Sequence, residues 1–306
     1  MFHSSTGIVI IAVVVVARFA LGRGVKAVRR PRRRARRDDI ASPGSGSRGT
    51  IGLVLHQSRY DLRALLRNRQ ARTATVMLPL LLLVLFLGMW GSDRVGTGQV
   101  KAATYYVPGL VALSVIASSF VNLVISVVTH REAGVLKRRR ATPVPAWVLI
   151  GGRALTAIAV SLIMATALVA IGWIGFGVSV QAEAIPAVIV AAVAGSVTFC
   201  VLAYAVATLI GSADAAQPTI QALMLPLYLA SGIFIPNATL PSWLCHLASV
   251  FPVERLADAL HRPYSPAAHG LAIAWTDLGV MALWAAAGLA VALRRFSWLP
   301  AAGRTA

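Results

Sequence analysis

HREAGVLKRRRATPVPAW, residues His130 to Trp147, is the stretch on which the architecture of this 306-residue chain turns. It carries Arg131, Lys137, Arg138, Arg139 and Arg140 against one acid, Glu132, and is wedged between two long apolar runs. A Lys or Arg at the middle of a bilayer costs about 2.5–3.5 kcal/mol on insertion scales. Five of them in one segment predict a loop held in water, and the excess of positive charge assigns that loop to the cytoplasmic face.

The composition agrees with this reading. Hydrophobic residues make up 58% of the chain and the mean hydropathy is +0.75, values of a polytopic membrane protein. Apolar runs of about 20 residues, the length that crosses a hydrocarbon core of about 30 Å, recur along it. The net charge of +19 would suit nucleic acid, but its distribution argues against that partner. Nine of the 29 basic residues lie between Arg23 and Arg37, and most others border apolar runs on one side only, the positive-inside bias. The two cysteines, Cys200 and Cys245, have no CxxC or Cys/His spacing, so neither a disulfide framework nor a metal site is expected.

From the basic loop outward, six spans are predicted: Thr73–Trp90, Tyr105–Thr129, Val148–Trp173, Ala184–Ile210, Pro218–Ile235 and Leu271–Leu293. Inner segments hold the basic clusters, and outer ones hold only Arg94, Lys101, Arg255 and Arg262. Both ends of this core are therefore expected in the cytoplasm. Ahead of it, residues 51–72 read as an amphipathic helix, with Leu55, Leu62 and Leu66 on one face and Arg59, Arg63 and Arg67 beside them. Such a helix suits the inner headgroup layer. Residues 1–50 form an extension: an apolar segment from Gly7 to Leu21 interrupted by Arg18, a polybasic block that reads first as a solvated topology signal and otherwise as a contact for anionic lipid, and a Ser/Gly/Pro linker. The apolar segment is either an extra span or upstream sequence that the working protein does not need.

Within the second predicted span Ser119, Asn122 and Ser126 fall at i, i+3 and i+7. This polar line is either a substrate path or, more commonly, a set of hydrogen bonds between packed helices. Small residues repeat every fourth position in the fourth span, at Ala187, Ala191 and Gly195 and again at Ala203, Ala207 and Gly211, which permits close helix approach. Between the fifth and sixth spans, Pro236 to Gly270 is too long and too apolar for a free loop, and Pro241, Pro252, Pro263 and Pro266 would divide it into short helices. Arg153 is expected to snorkel to the inner headgroups.

Catalytic signatures are lacking. Gly-Lys never occurs, so the chain has no P-loop, and GxSxG and HExxH are absent as well. His246, His261 and His269 share the outer segment with Glu254 and Asp258, but their spacing fits no ligand pattern. Helix caps and pairs such as Asp258 with Arg262 explain them more simply. The predicted spans hold almost no charge apart from Asp277 near an outer end, which weighs against a proton-driven antiporter.

Several of these residues together resemble a family. REAGVLKRRRATPVP (Arg131 to Pro145), with Gly151 and Arg153 after it, is similar to the first cytoplasmic loop of ABC-2 type permeases, the separate membrane subunits of ATP-binding-cassette exporters. Tyr106-Val107-Pro108-Gly109, SGIFIP from Ser231 to Pro236, Leu240-Pro241 and Phe251-Pro252 fit the same pattern, most nearly that of the daunorubicin-resistance and multidrug group. The resemblance implies an all-α membrane protein with six transmembrane helices, residues 51–306 forming the permease domain and the N-terminal amphipathic helix its elbow. It makes the basic loop an ATPase-coupling element in which Arg131, Glu132, Gly134, Lys137, Arg138, Arg139, Arg140, Thr142 and Pro143 are the site residues. No cofactor belongs to the chain itself. ATP and Mg would be bound by a separate ATPase subunit, and the permease would be a homodimer in the bacterial cell membrane, exporting a hydrophobic or amphiphilic drug or a lipid-like compound. Alternatives are a permease for polysaccharide, lipid or ion export, a non-transporting scaffold, or a membrane enzyme using the histidine-bearing outer segment.

Overall fold

The long apolar runs become helices that are bounded by the few residues able to start or stop them. The computed structural model describes residues 52, 56, 58, 59, 62, 63, 77–90, 93–95, 100–133, 146–178, 180–265 and 270–295. Helix α1 is Leu78–Trp90. A two-stranded antiparallel hairpin comes next, β1 (Arg94–Val95) against β2 (Val100–Lys101). Helix α2 (Ala102–Ile116), a π-helical turn (Ala117–Val121) and α3 (Asn122–Glu132) then form one 31-residue rod. Beyond the basic loop come α4 (Ala146–Phe176), α5 (Ile185–Ala207), α6 (Ala213–Ala230), the short α7 (Ser242–Ala248) and α8 (Pro252–His261), and α9 (Trp275–Arg295).

Among the described residues four stretches are long and apolar enough to cross a membrane: Ala102–Glu132, Gly151–Phe176, Ala182–Ala207 and Trp275–Arg294. They match the second, third, fourth and sixth predicted spans. Helix α1 has 13 described residues, about 20 Å at 1.5 Å per residue, and residues 73–76 of the first predicted span lie outside the described residues. Helix α6 starts five residues before the predicted Pro218, because Ser212 caps it by accepting a hydrogen bond from the Ala215 N–H at 3.3 Å. Its first turns carry Asp214 and Gln217, so only its later half is strongly apolar. The last helix starts at Trp275, four residues past the predicted Leu271.

The rod α2–α3 is the centre of the molecule, with 67% of its most apolar window buried against 17% for α9. Helices α1, α4, α5 and α8 pack around it, and α9 lies against α5 and α8. Close approach depends on small residues. A Cβ on Gly195 of α5 would lie 2.6 Å from Leu256 Cδ1 of α8, and one on Gly288 of α9 would lie 2.9 Å from Leu202 Cδ2 of α5. One half of the small-residue stripe therefore seats the outer helix α8. The chain leaves α6 through Gly232, at φ 72°, a conformation that costs glycine nothing. This turn drives buried Ile233 onto α2, where a Cβ on Gly109 would meet the Ile233 carbonyl oxygen at 2.8 Å.

The six described residues between 52 and 63 are all helical. Leu62 packs on the core while Arg59 and Arg63 are exposed, and Thr156 of α4 donates a hydrogen bond to the Ser58 carbonyl at 3.2 Å. Residues 1–50 lie outside the described residues.

Gly109→Val should lower stability by about 1–3 kcal/mol, because backbone rather than a side chain must yield. Gly88→Ala, with no atom within 4 Å of the new Cβ, should be neutral or raise stability by up to about 1 kcal/mol through helix propensity. Thermal unfolding of the detergent-solubilised chain measures both.

Candidate functional site

The last turn of α3 leads into the basic loop, and there the structure departs from a simple water-held segment. Arg131 is helical and 4% exposed. Its guanidinium donates to the Ala207 carbonyl at 2.9 Å, to Ile210, and at 3.4 Å to Gly211. These oxygens belong to the last turn of α5 and the link into α6, where a helix leaves carbonyls without intrahelical partners and carries the negative end of its dipole. Backbone oxygens thus take both terminal nitrogens of this buried cation. Glu132, one residue on, is exposed. Gly134, Lys137, Arg138, Arg139, Arg140, Thr142 and Pro143 lie outside the described residues.

On the far side of the loop, Arg153 of α4 turns inward instead of snorkelling. Its Nη1 donates to Ser126 Oγ at 2.6 Å and its Nη2 to His130 Nδ1 at 3.2 Å, both on α3. The two helices that flank the loop are thus bonded to each other, and α3 is bonded in turn to the end of α5. Helices α3 and α4 and the α5–α6 link are thereby connected to one another.

The polar line of the sequence is divided in the fold. Ser126 joins α3 to α4 through Arg153, and Ser119 is fully buried in the π turn, bonded to its own helix at Val115. Asn122 is partly buried. The sequence reading missed a buried relay just beside them. Ser118 Oγ lies 2.8 Å from Ser161 Oγ of α4, and Ser196 of α5 donates to Ser161 at 3.0 Å. No periodicity within one span signals it, because each serine comes from a different helix.

At the opposite end of the rod α8 brings charge into the packed interior. Pro252 occupies its first turn, where the missing N–H costs nothing. Its Val253, Leu256 and Leu260 are buried against the bundle. Arg255 reaches Asp277 of α9 at 3.1 Å and the Ser249 carbonyl at 2.7 Å, in place of the expected pair between Asp258 and Arg262. Glu254, 4% exposed, accepts one hydrogen bond from Asn237 Nδ2 at 3.1 Å. Burial, reinforced by the Asp258 charge, pushes its carboxyl up to about 7. His261 has its two ring nitrogens against the Ala257 and Tyr105 carbonyls, at 2.7 and 3.0 Å, and burial holds its pKa below the ordinary value. His246 is exposed, and His269 lies outside the described residues. Among the described residues no three His, Cys, Asp or Glu side chains converge on a metal site.

A carboxyl raised by folding binds its proton more tightly in the native state, so its contribution to stability is lost as pH rises from about 4.5 to about 7 for Glu254. Asp258, raised to about 6, acts in the same sense at lower pH, whereas His261, lowered, opposes it below pH 6.5. The melting temperature should therefore fall between pH 6 and pH 8 by more in the wild type than in Glu254→Gln. Differential scanning fluorimetry at matched ionic strength checks this.

The comparisons with known proteins cover this same region. A family model described as ABC-2 type transporter matches residues 55–262, which include the basic loop, the Arg131 contacts and α8. Over 186 residues the chain is 26% identical to the probable multidrug ABC transporter permease YbhR of Escherichia coli strain K12, covering 57% of this chain and 47% of that protein. The protein of the same name from Escherichia coli O157:H7 matches to the same extent. The chain thus spans about half the length of the curated relatives it matches. With the family match extending over more than half of its 306 residues, and with multiple helices fit to span a bilayer, the chain belongs to the ABC-2 type transporter family.

Proposed function

We propose that the chain is the permease subunit of a bacterial exporter, moving an amphiphilic drug or lipid-like compound outward with energy from ATP hydrolysed by a separate ATPase subunit. The observation that carries this reading is the bonded body around the basic loop. Packed helices move as rigid units, so a push on the loop would reach α3 and α4 directly and, through Arg131, the α5–α6 link. In this reading residues 51–306 are the transport domain, with the basic loop and the core termini in the cytoplasm. Lys137, Arg138, Arg139 and Arg140 meet the ATPase, while Glu132, Gly134, Thr142 and Pro143 shape the coupling helix. Residues 51–72 form the elbow in the inner headgroup layer.

The apolar flanks support a membrane-embedded dimer. Leu81, Leu85 and Met89 of α1 and Leu225 and Leu229 of α6 are exposed in the single chain. A second copy would cover part of this surface and lipid tails the rest. The name of the matched relatives, probable multidrug permease, supports a hydrophobic small-molecule cargo over a polysaccharide or an ion.

Two substitutions separate docking from transmission. Replacing Lys137, Arg138, Arg139 and Arg140 together by Ser should cut co-purification with the ATPase at least tenfold. Arg131→Ala should leave co-purification intact, since this side chain is turned into the permease, yet lower ATP-dependent dye efflux from proteoliposomes at least tenfold. Arg131→Lys, which keeps the charge and loses the planar fork, should fall between the two. Unchanged efflux in Arg131→Ala would remove the mechanical reading.

A further inference from the structure

At the end of the rod away from the basic loop, the first turn of α2, the segment after α6, and α8 with the 3₁₀ turn beyond it line a partly open cavity of about 230 Å³. Its polar lining includes Thr104, Tyr105, Asn237, Asp258, His261 and Tyr264. That is room for several water molecules or one small organic group.

Three side chains of the lining carry an oxygen with no hydrogen-bond partner among the described residues. Asp258 has no hydrogen-bond or ion-pair partner among the described residues. The nearby Arg255 is committed to Asp277 and to the Ser249 carbonyl. Asn237 gives its amide N–H to Glu254, and its Oδ1 is buried without a partner among the described residues. Tyr264 is 7% exposed, and its hydroxyl is likewise buried with no partner among them. Tyr105 spends its O–H on the Gly232 carbonyl and presents its ring beside His261. Both His261 ring nitrogens face backbone carbonyls, of which a neutral imidazole donates to only one, and to the cavity it offers its ring.

An unpaired carboxylate, an amide oxygen, a phenol and an aromatic face are together the complement of a positively charged donor. Burial and the neighbouring Asp277 raise the Asp258 carboxyl only to about 6, so it is ionised at pH 7.5. A divalent metal is a poor fit, because one carboxylate and neutral oxygens fall short of the charge such ions collect, and no ligand cluster converges here among the described residues. A primary ammonium brings three N–H donors and one charge, which matches Asp258, Asn237 Oδ1 and Tyr264 in number and sign, and its alkyl stem suits the aromatic wall.

We infer that this cavity is a binding site for a small organic ammonium group, with Asp258 as its counter-ion and Asn237 and Tyr264 as hydrogen-bond acceptors. The site stands on its own lining and does not require the transport reading. The test is calorimetric titration of the full-length chain in lipid nanodiscs with n-propylammonium chloride at pH 7.5, against 1-propanol as the uncharged isostere and sodium chloride as the inorganic cation. Saturable binding of propylammonium, at least tenfold weaker binding of propanol, at least tenfold loss in Asp258→Asn and roughly threefold loss in Tyr264→Phe are expected. The thermal melting curve of each variant must match the wild type in cooperativity, and Asp258→Glu, which restores the charge, should recover part of the affinity. The inference is overturned if propanol binds as well as propylammonium, if Asp258→Asn binds undiminished, if no saturable binding occurs, or if equimolar sodium displaces the ligand completely.

Discussion

A guanidinium buried against the open carbonyls of a helix end is the contact on which the basic end of this molecule depends. Arg131 sits at the last turn of the central rod and takes the Ala207, Ile210 and Gly211 oxygens. A charge removed from water needs partners that replace its hydration, and the end of α5 supplies several oxygens that its own backbone has left open. Both sides gain, since the guanidinium regains acceptors and the helix end regains donors. Geometrically, the contact pins the start of the basic loop to the α5–α6 link, while Arg153 pins its end to α3.

The opposite end is built on a different solution to the same problem. Helix α8 carries Glu254, Arg255 and Asp258 on a segment whose other face is fully apolar, so burial of Leu256 and Leu260 drags the charges inward. One charge is paired with Asp277 across α9, one carboxyl is held by an asparagine and raised towards neutrality, and one faces a polar cavity. The glycine at position 195 makes this insertion sterically feasible, since any side chain there would occupy the space of Leu256.

Sequence legibility followed the range of the interaction concerned. Apolar run length and basic clustering are local, and they placed four spans to within a few residues as well as the division of the outer segment by Pro241 and Pro252. Helix α6 was misplaced at its start because Pro218 is a conspicuous breaker and Ser212 an inconspicuous cap. The little hairpin of Arg94–Val95 with Val100–Lys101 leaves no signal in the sequence, since two residues per strand give no alternation to detect. The inward turn of Arg131 and Arg153 was illegible for a deeper reason. A positive-inside count treats every basic residue near a span as a topology signal, and only tertiary placement shows which of them have partners within the bundle. The serine relay of 118, 161 and 196 was hidden likewise, its members being separated by 43 and 35 residues.

The two ends differ in the groups that tie them together. At the basic end the links run from side chain to backbone or across adjacent helices, with little freedom to rearrange without exposing a buried guanidinium. At the other end Arg255 pairs with Asp277 and bonds the Ser249 carbonyl, Asn237 bonds Glu254, Tyr105 bonds the Gly232 carbonyl, and His261 lies between two backbone carbonyls beside the cavity. The rod between them has a π turn at its middle, where one backbone register is already displaced and the serine relay gathers. In the proposed coupling role, a displacement applied at the basic end would reach that turn along α3, and α8, packed on α2, α5 and α9, would meet it at the far end of the rod.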